Sequence, residues 1–80
     1  MKNVEHIPVT TLERSQERVR QRILEKAFSR FGRYGFGKTT MAEISKDCEM
    51  SPGNLYRYFK SKKDIGADCA KRAMLQKLDL

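Results

Sequence analysis

Apolar side chains recur every four residues from Val19 to Phe31, and this spacing decides what the first half of the chain can form. Positions 19, 23, 27 and 31 share one face of a helix, since an α-helix turns once in about 3.6 residues. Leu24 and Phe28 lie beside this stripe, and arginines occupy the other face. The pattern predicts a helix that begins between residues 11 and 15 and stops at Gly35, because glycine favours a helix C-terminus.

Three further helices are predicted after this one. A second, short helix starts after Thr39 or Thr40, either of which can cap it. Ser51 and Pro52 open a third, in which a capping hydroxyl is followed by proline at the first helical position. A fourth runs from Lys62 toward Leu78. The residues predicted to face inward on these helices are Met41, Ile44, Cys48, Leu55, Phe59, Ile65, Cys69, Ala73, Met74 and Leu78, and Tyr56 lies close to the inward face.

The expected fold is all-α: a helix-turn-helix in a homeodomain-like three-helix core, followed by the start of a fourth, linking helix. Residues 1–10 lack a helical period and are expected to form a flexible leader. Thr10 and Glu13 fit a capping box at the start of the first helix. Residues 11–65 form the helix-turn-helix domain, and residues 62–80 form the linking helix.

Length and charge restrict the class of protein. The 80 residues carry 17 Lys and Arg against 10 Asp and Glu, a formal net charge of +7. A doubly wound sheet enzyme or a barrel does not fit in this length. The positive charge favours a polyanionic partner, either nucleic acid or an acidic membrane surface.

Signals for metals, catalysis and export are missing from the sequence. Cys48 and Cys69 are far apart and His6 is distant from both, so zinc-ligand spacing is absent and neither metal nor cofactor is expected. There is no catalytic constellation, so we do not expect an enzyme. Neither an apolar signal region nor a run of about 18 apolar residues occurs, so the expected location is a reducing cytoplasm, with no membrane partner.

The basic residues are concentrated around the third predicted helix. From Ser51 to Lys63 there are four bases and no acid, whereas residues 38–50 contain two bases and three acids. The helix opens with small residues that allow another surface to approach its backbone closely. A helix N-terminus favours phosphate, and recognition helices enter the major groove by this end. Nucleic-acid binding is the favoured interpretation, and a good helix start with solvated lysines is the simpler alternative.

A nucleotide-binding pattern also occurs in the chain. Residues 32–39 satisfy G-x-x-x-x-G-K-[ST], which cradles phosphates when a strand precedes it and a helix follows. Here the preceding residues have helical periodicity, so a helix stop and a tight turn explain the glycines better.

The basic first helix also fits a membrane-surface or calmodulin-type segment, although its aromatic residues, Phe28 and Phe31, are more simply explained as a core face.

A series of motif residues follows in order from Arg22 to Ile65, over about half of the chain. They are Ile23, Leu24, Ala27, Phe28, Phe31, Gly35, Phe36, Thr39, Thr40, Ile44, Met50, Ser51, Gly53, Asn54, Leu55, Tyr56, Tyr58, Phe59, Ser61, Lys62 and Ile65. In these residues, and above all in the run SPGNLYRYFKSK, the chain resembles the N-terminal DNA-binding domain of the TetR/AcrR family of bacterial regulators. Two positions depart from the family pattern. Glu49 replaces the usual turn glycine and has to adopt a positive φ, at a cost of roughly 1 kcal/mol, and Ser45 replaces an alanine.

The resemblance implies a role for each matching site residue. Thr40 caps the second helix and touches a phosphate, and Pro52 and Gly53 lie nearest the base edges. Arg57 reads a base by bidentate contact with guanine O6 and N7, while Lys62 clamps a phosphate. Tyr56 and Tyr58 bind phosphates through their hydroxyls. Leu55 and Phe59 belong to the core, Ser51 is a cap that can also read a base, and Asn54 makes either a local hydrogen bond or a DNA contact.

The resemblance also implies partners for the whole regulator. These are a palindromic double-stranded DNA operator, a second copy of the chain in a homodimer, and a small-molecule effector. The effector and the dimer contacts belong to a larger C-terminal helical domain, which we expect to follow the fourth helix and which the 80 residues do not include. The regulator is expected to be a repressor whose effector changes the spacing of the two recognition helices, so that they no longer match half-sites about one helical turn apart.

Overall fold

The computed structural model describes residues 11–78 of the chain, and side chains up to residue 75. It contains four helices, α1 (Thr11–Tyr34), α2 (Met41–Asp47), α3 (Pro52–Tyr58) and α4 (Lys62–Leu78), and no strand within that range. α1 packs against α2 and α4, and α2 packs against α3. The all-α prediction and the order of long, short, short and long helices are confirmed. The predicted leader, residues 1–10, and the Thr10 half of its capping box lie outside the described residues.

The core forms where the apolar faces of the four helices meet. Ile23, Ile44, Leu55 and Ile65, one from each helix, have no solvent-exposed surface. Leu24, Ala27, Cys48 and Phe59 complete the buried cluster. Burial of a side chain the size of leucine or isoleucine stabilises a fold by about 1.5–3 kcal/mol. The four isoleucine and leucine side chains therefore hold the short helices, which are too short to be stable in isolation.

The turn between α1 and α2 is built from glycine and two threonines with different roles. Gly35 has a φ of +94°, which favours glycine, and its N–H donates to the Phe31 carbonyl at 2.9 Å. Thr39 is buried, and its hydroxyl donates to the Gly35 carbonyl at 2.9 Å. Thr40 is the N-cap of α2. The choice between the two threonines is thus settled in favour of Thr40.

Three residues predicted to face inward are exposed. Phe28 is 63% exposed, Met74 is 64% exposed and Ala73 is exposed as well, so these predictions are wrong. Phe28 lines the rim of a shallow groove between α1 and α4. The apolar side chains that α4 presents to this groove, Cys69 and Ala73, are small, and the groove is lined by residues of α1 and α4 alone within the described range. The side chain of Leu78 lies outside the described part.

Ion pairs fix α1 against its two neighbours. Arg30 Nε and Nη2 donate to the two carboxylate oxygens of Asp47, at 2.7 and 3.1 Å, and Glu43 lies 3.7 Å from the same guanidinium. These hydrogen bonds hold the pKa of the Asp47 carboxyl below its ordinary value. Arg72 ties α4 to Glu17 of α1 at 3.4 Å. The orientation of α2 on α1 therefore rests on a bidentate pair as well as on apolar packing.

Candidate nucleic-acid interface

The turn between α2 and α3 fixes the angle at which α3 leaves the core. Glu49 has a φ of 60°, the only positive value among non-glycine residues of the described range, which confirms the conformation predicted for this position. The N–H groups of Glu49 and Met50 donate to the carbonyls of Lys46 and Ser45, at 3.0 and 2.9 Å. This pair of bonds is a Schellman motif, the usual way to end a helix and reverse the chain. Here it supplies the turn of the helix-turn-helix.

The N-terminal end of α3 projects away from the protein. Ser51 caps the helix, because its hydroxyl accepts the Asn54 N–H at 3.1 Å, and Pro52 occupies the first turn. Residues 51–54 are all exposed. A Cβ added to Gly53 would meet no atom within 4 Å. The sequence-predicted contact residues Ser51, Pro52 and Gly53 are therefore brought together on a free, small-residue helix end.

α3 has one face in the core and one in solvent. Leu55 is fully buried and Phe59 is 7% exposed, as predicted for core residues. Tyr56 and Arg57 lie on the exposed side. Within the described part of the chain, no ion pair engages the Arg57 guanidinium. This guanidinium is thus available to a partner outside the protein.

Tyr58 differs from Tyr56 in being half-buried against α1. The Arg20 guanidinium lies 5.8 Å from the centre of the Tyr58 ring. Arg20, Asn54 and Arg57 line one groove between α1 and α3. The structure therefore adds Arg20 to the surface around α3, a residue that the sequence analysis missed. Its position on α1 relative to α3 depends on tertiary packing, and no local pattern indicates it.

Thr40 and Lys62 flank α3 on other elements. The Thr40 hydroxyl accepts the Glu43 N–H at 3.1 Å, and the Glu43 carboxylate accepts the Thr40 N–H at 3.0 Å, which completes a capping box. Thr40 is exposed, as a phosphate contact requires. Lys62 is half-buried, and its ammonium donates to the Phe36 carbonyl at 2.7 Å. An ammonium has three N–H donors, so this bond leaves others for a phosphate.

The nucleotide-binding pattern has no matching fold. Residues 32–34 lie within the last turn of α1, and Gly35 ends that helix. The strand that a phosphate-binding loop follows is absent from the described range. The pattern is therefore a helix stop and a turn, which agrees with the interpretation that the sequence favoured.

The described residues form neither a metal cluster nor a membrane-spanning helix. Among residues 11–78, no group of three or more His, Cys, Asp and Glu side chains could hold a metal ion. Burial raises the pKa of both cysteine thiols, Cys48 and Cys69, and so favours their protonated form. None of the four described helices has the length and apolar content that crossing a bilayer requires.

Comparison with known proteins identifies the family. The family of "Bacterial regulatory proteins, tetR family" matches residues 23–69, which is more than half of the chain and includes the whole helix-turn-helix. This chain belongs to the tetR family. The matched segment is a DNA-binding segment of a transcription regulator, and the family consists of regulators rather than enzymes.

Two relatives from Bacillus subtilis (strain 168) share this segment with the tetR-family chain. The chain is 39% identical over 46 residues to the "Uncharacterized HTH-type transcriptional regulator YerO". The aligned residues make up 58% of this chain and 16% of the relative. The chain is 42% identical over 43 residues to the "Uncharacterized HTH-type transcriptional regulator YuxN", covering 54% of the chain and 15% of the relative. The matches thus span about a sixth of each relative.

Proposed function

We propose that this chain binds double-stranded DNA sequence-specifically, with α3 in the major groove of an operator half-site. The observation that carries the proposal is the end of α3, where residues 51–54 are exposed and Arg57 faces solvent without an ion-pair partner in the described range. From Ser51 to Lys63 the chain has four bases and no acid, so this surface attracts phosphate.

Each exposed residue then has a distinct task on DNA. Pro52 and Gly53 lie closest to the base edges, since the end of α3 carries no bulky side chain there. Arg57 reads a guanine through its two parallel N–H donors. Thr40 and Lys62 contact the backbone on either side, and the hydroxyls of Tyr56 and Tyr58 contact further phosphates. Ser51 remains a cap that can also donate to a base.

The whole regulator is proposed to act as a homodimer on a palindromic operator in the bacterial cytoplasm. Two copies of α3 about one helical turn apart match a pair of half-sites in one operator. A C-terminal domain would supply the dimer contacts and bind a small-molecule effector that releases the DNA, which makes the protein a repressor. A single copy of the helix-turn-helix should then bind one half-site weakly, because it lacks the avidity of two linked modules.

Selection of duplexes from a random pool tests the proposal directly. The full-length regulator should return a palindromic consensus, and the 80-residue chain should bind its half-site. With about 4–6 phosphates neutralised per domain, log K should fall with log salt at a slope near −4 to −5. A pool with no enriched sequence would contradict sequence-specific binding.

Substitution of Arg57 separates base reading from phosphate contact. Arg57→Ala should weaken binding to the selected half-site by about 1–3 kcal/mol and relax the preference at one base pair. Lys62→Ala should instead weaken every sequence and lower the salt slope by about one unit. Arg33→Ala is the matched control, because Arg33 is also exposed and lies in the last turn of α1. An equal loss on all sequences would make Arg57 a phosphate contact.

A further inference from the structure

Phe36, in the turn between α1 and α2, joins three elements of the fold. Its carbonyl accepts two hydrogen bonds, from the Thr39 N–H at 3.2 Å and from the Lys62 ammonium at 2.7 Å. Its ring packs against Phe31 of α1, with the ring centres 5.0 Å apart. The Lys62 ammonium also lies 4.5 Å from the centre of the Phe36 ring. One residue thus holds the Lys62 ammonium both by its carbonyl and by its aromatic face.

Gly66 of α4 allows the Phe36 ring to come this close. A Cβ at position 66 would lie 3.1 Å from a ring carbon of Phe36, closer than van der Waals contact. Glycine is a poor residue for the interior of a helix. The close approach of the Phe36 ring explains why a glycine stands at position 66 of α4. Phe36 is nevertheless 41% exposed, and it is not a member of the buried core. Phe36 thus meets α4 from the surface of the protein, at Lys62 and at Gly66.

We propose that Phe36 is a positioning residue for DNA binding, which holds the Lys62 ammonium ready for a backbone phosphate. The inference rests on the proposed function, because it assigns a cause to the Lys62 phosphate contact. A lysine side chain has many rotamers, and fixing them on binding costs conformational entropy. In this protein the carbonyl and the ring fix the ammonium before DNA arrives, and its remaining N–H donors stay available. The same carbonyl also accepts the Thr39 N–H, and Thr39 adjoins the Thr40 cap of α2.

A double-mutant cycle between Phe36 and Lys62 tests this role. Phe36→Leu removes the aromatic face but keeps an apolar side chain and the backbone carbonyl, and Lys62→Met removes the ammonium. Affinity for the half-site selected by the wild-type chain is measured by fluorescence anisotropy. The energy of an exposed cation–π contact predicts that Phe36→Leu weakens binding about two- to fivefold. In the Lys62→Met background the same substitution should leave the affinity unchanged, since the ammonium that Phe36 positions is gone.

Two controls separate positioning from folding. Phe28→Leu makes the same chemical change at an exposed phenylalanine on α1 and should leave affinity at the wild-type level. Phe36→Tyr keeps the ring face and should restore binding. Circular dichroism establishes that each variant is folded at the temperature of the measurement.

The possible failures are distinguishable. If Phe36→Leu weakened binding equally in the wild-type and Lys62→Met backgrounds, its role would be merely structural and the inference would be overturned. The inference would also be overturned if Phe36→Leu on its own bound DNA as tightly as the wild type. Either result leaves sequence-specific binding intact. If the selection returns no preferred duplex, the proposed function fails, and the positioning role fails with it.

Discussion

α2 and α3 are both seven residues long and both begin at a hydroxyl cap, but the fold holds them very differently. α2 has a reciprocal capping box, buries Ile44 and Ser45, and is tied to α1 by the Arg30–Asp47 pair. α3 has a single capping bond, and only Leu55 is buried between its first and last residue. Its other positions, apart from the half-buried Tyr58, are exposed.

The difference shows how a small domain divides its stabilising contacts. A helix that is fixed by caps, core and ion pairs has few polar groups left for a partner. A helix with one fully buried side chain, beside a C-cap residue that also lies in the core, leaves most of its other side chains in solvent. α2 is therefore held on several sides while α3 exposes most of its side chains, although the two helices have the same length. Four predictions test this contrast, from the largest expected effect to the smallest.

The largest effect is expected from removing the buried anchor of each helix. Ile44→Ala and Leu55→Ala should each lower the free energy of unfolding by about 2–5 kcal/mol, since both side chains are fully buried. Urea unfolding followed by circular dichroism measures the loss. Met74→Ala, at an exposed apolar residue on α4, should change stability by less than about 0.5 kcal/mol. A loss below about 1 kcal/mol for Leu55→Ala would resemble the effect of a surface substitution. It would mean that contacts other than Leu55 hold α3 in place.

The two caps are expected to contribute less. Thr40→Ala and Ser51→Ala should each cost about 0.5–2 kcal/mol, because each leaves a helix N–H without its acceptor. Thr40→Ser keeps the hydroxyl and should keep most of the stability. Thermal unfolding separates these outcomes. If Ser51→Ala had no effect on stability, the projecting end of α3 would not depend on its cap, and the comparison with α2 would need revision.

Relief of backbone strain at the turn should stabilise the protein. Glu49 has a positive φ, so Glu49→Gly should raise the free energy of unfolding by about 0.5–1 kcal/mol. The substitution also removes a 3.5 Å contact with Arg22, but both side chains are well exposed and such pairs contribute little. Glu49→Ala is the matched control, since it removes the same carboxylate and keeps the strain. A gain for alanine as large as that for glycine would contradict the strain argument.

The smallest effect concerns the ion pair that only α2 has. Arg30 lowers the pKa of the Asp47 carboxyl in the folded protein, whereas an aspartate in the unfolded chain has a pKa of about 3.9. The stabilisation by this pair is therefore complete above about pH 4 and is lost as the pH falls through the lowered folded-state value. Asp47→Asn should be less stable than the wild type at pH 6, and the difference should vanish in acid. A difference that is constant with pH would exclude the pair as its cause.

Local chemistry made much of the fold predictable. Thr40, Ser51, Pro52 and Gly35 mark helix ends through their own backbone and side-chain preferences, and the helix ends lie where these residues predict. The positive φ of Glu49 was also predictable, although from resemblance to the family rather than from residue type. The residues proposed to contact DNA were named from sequence for the same reason, and their contacts with DNA stay predictions.

The order and ends of the helices were determined by the sequence alone, because caps and helical spacing act over a few residues. Only the tertiary structure decided the exposure of Phe28, the position of Arg20 beside Tyr58, and the bond from Lys62 to Phe36. Each of these depends on how two distant segments meet, and a periodic pattern defines the apolar face of a helix without defining how far a neighbour covers it. In this protein, the extent to which neighbouring segments cover a helix distinguishes α2, which is held on several sides, from α3, which leaves most of its side chains exposed.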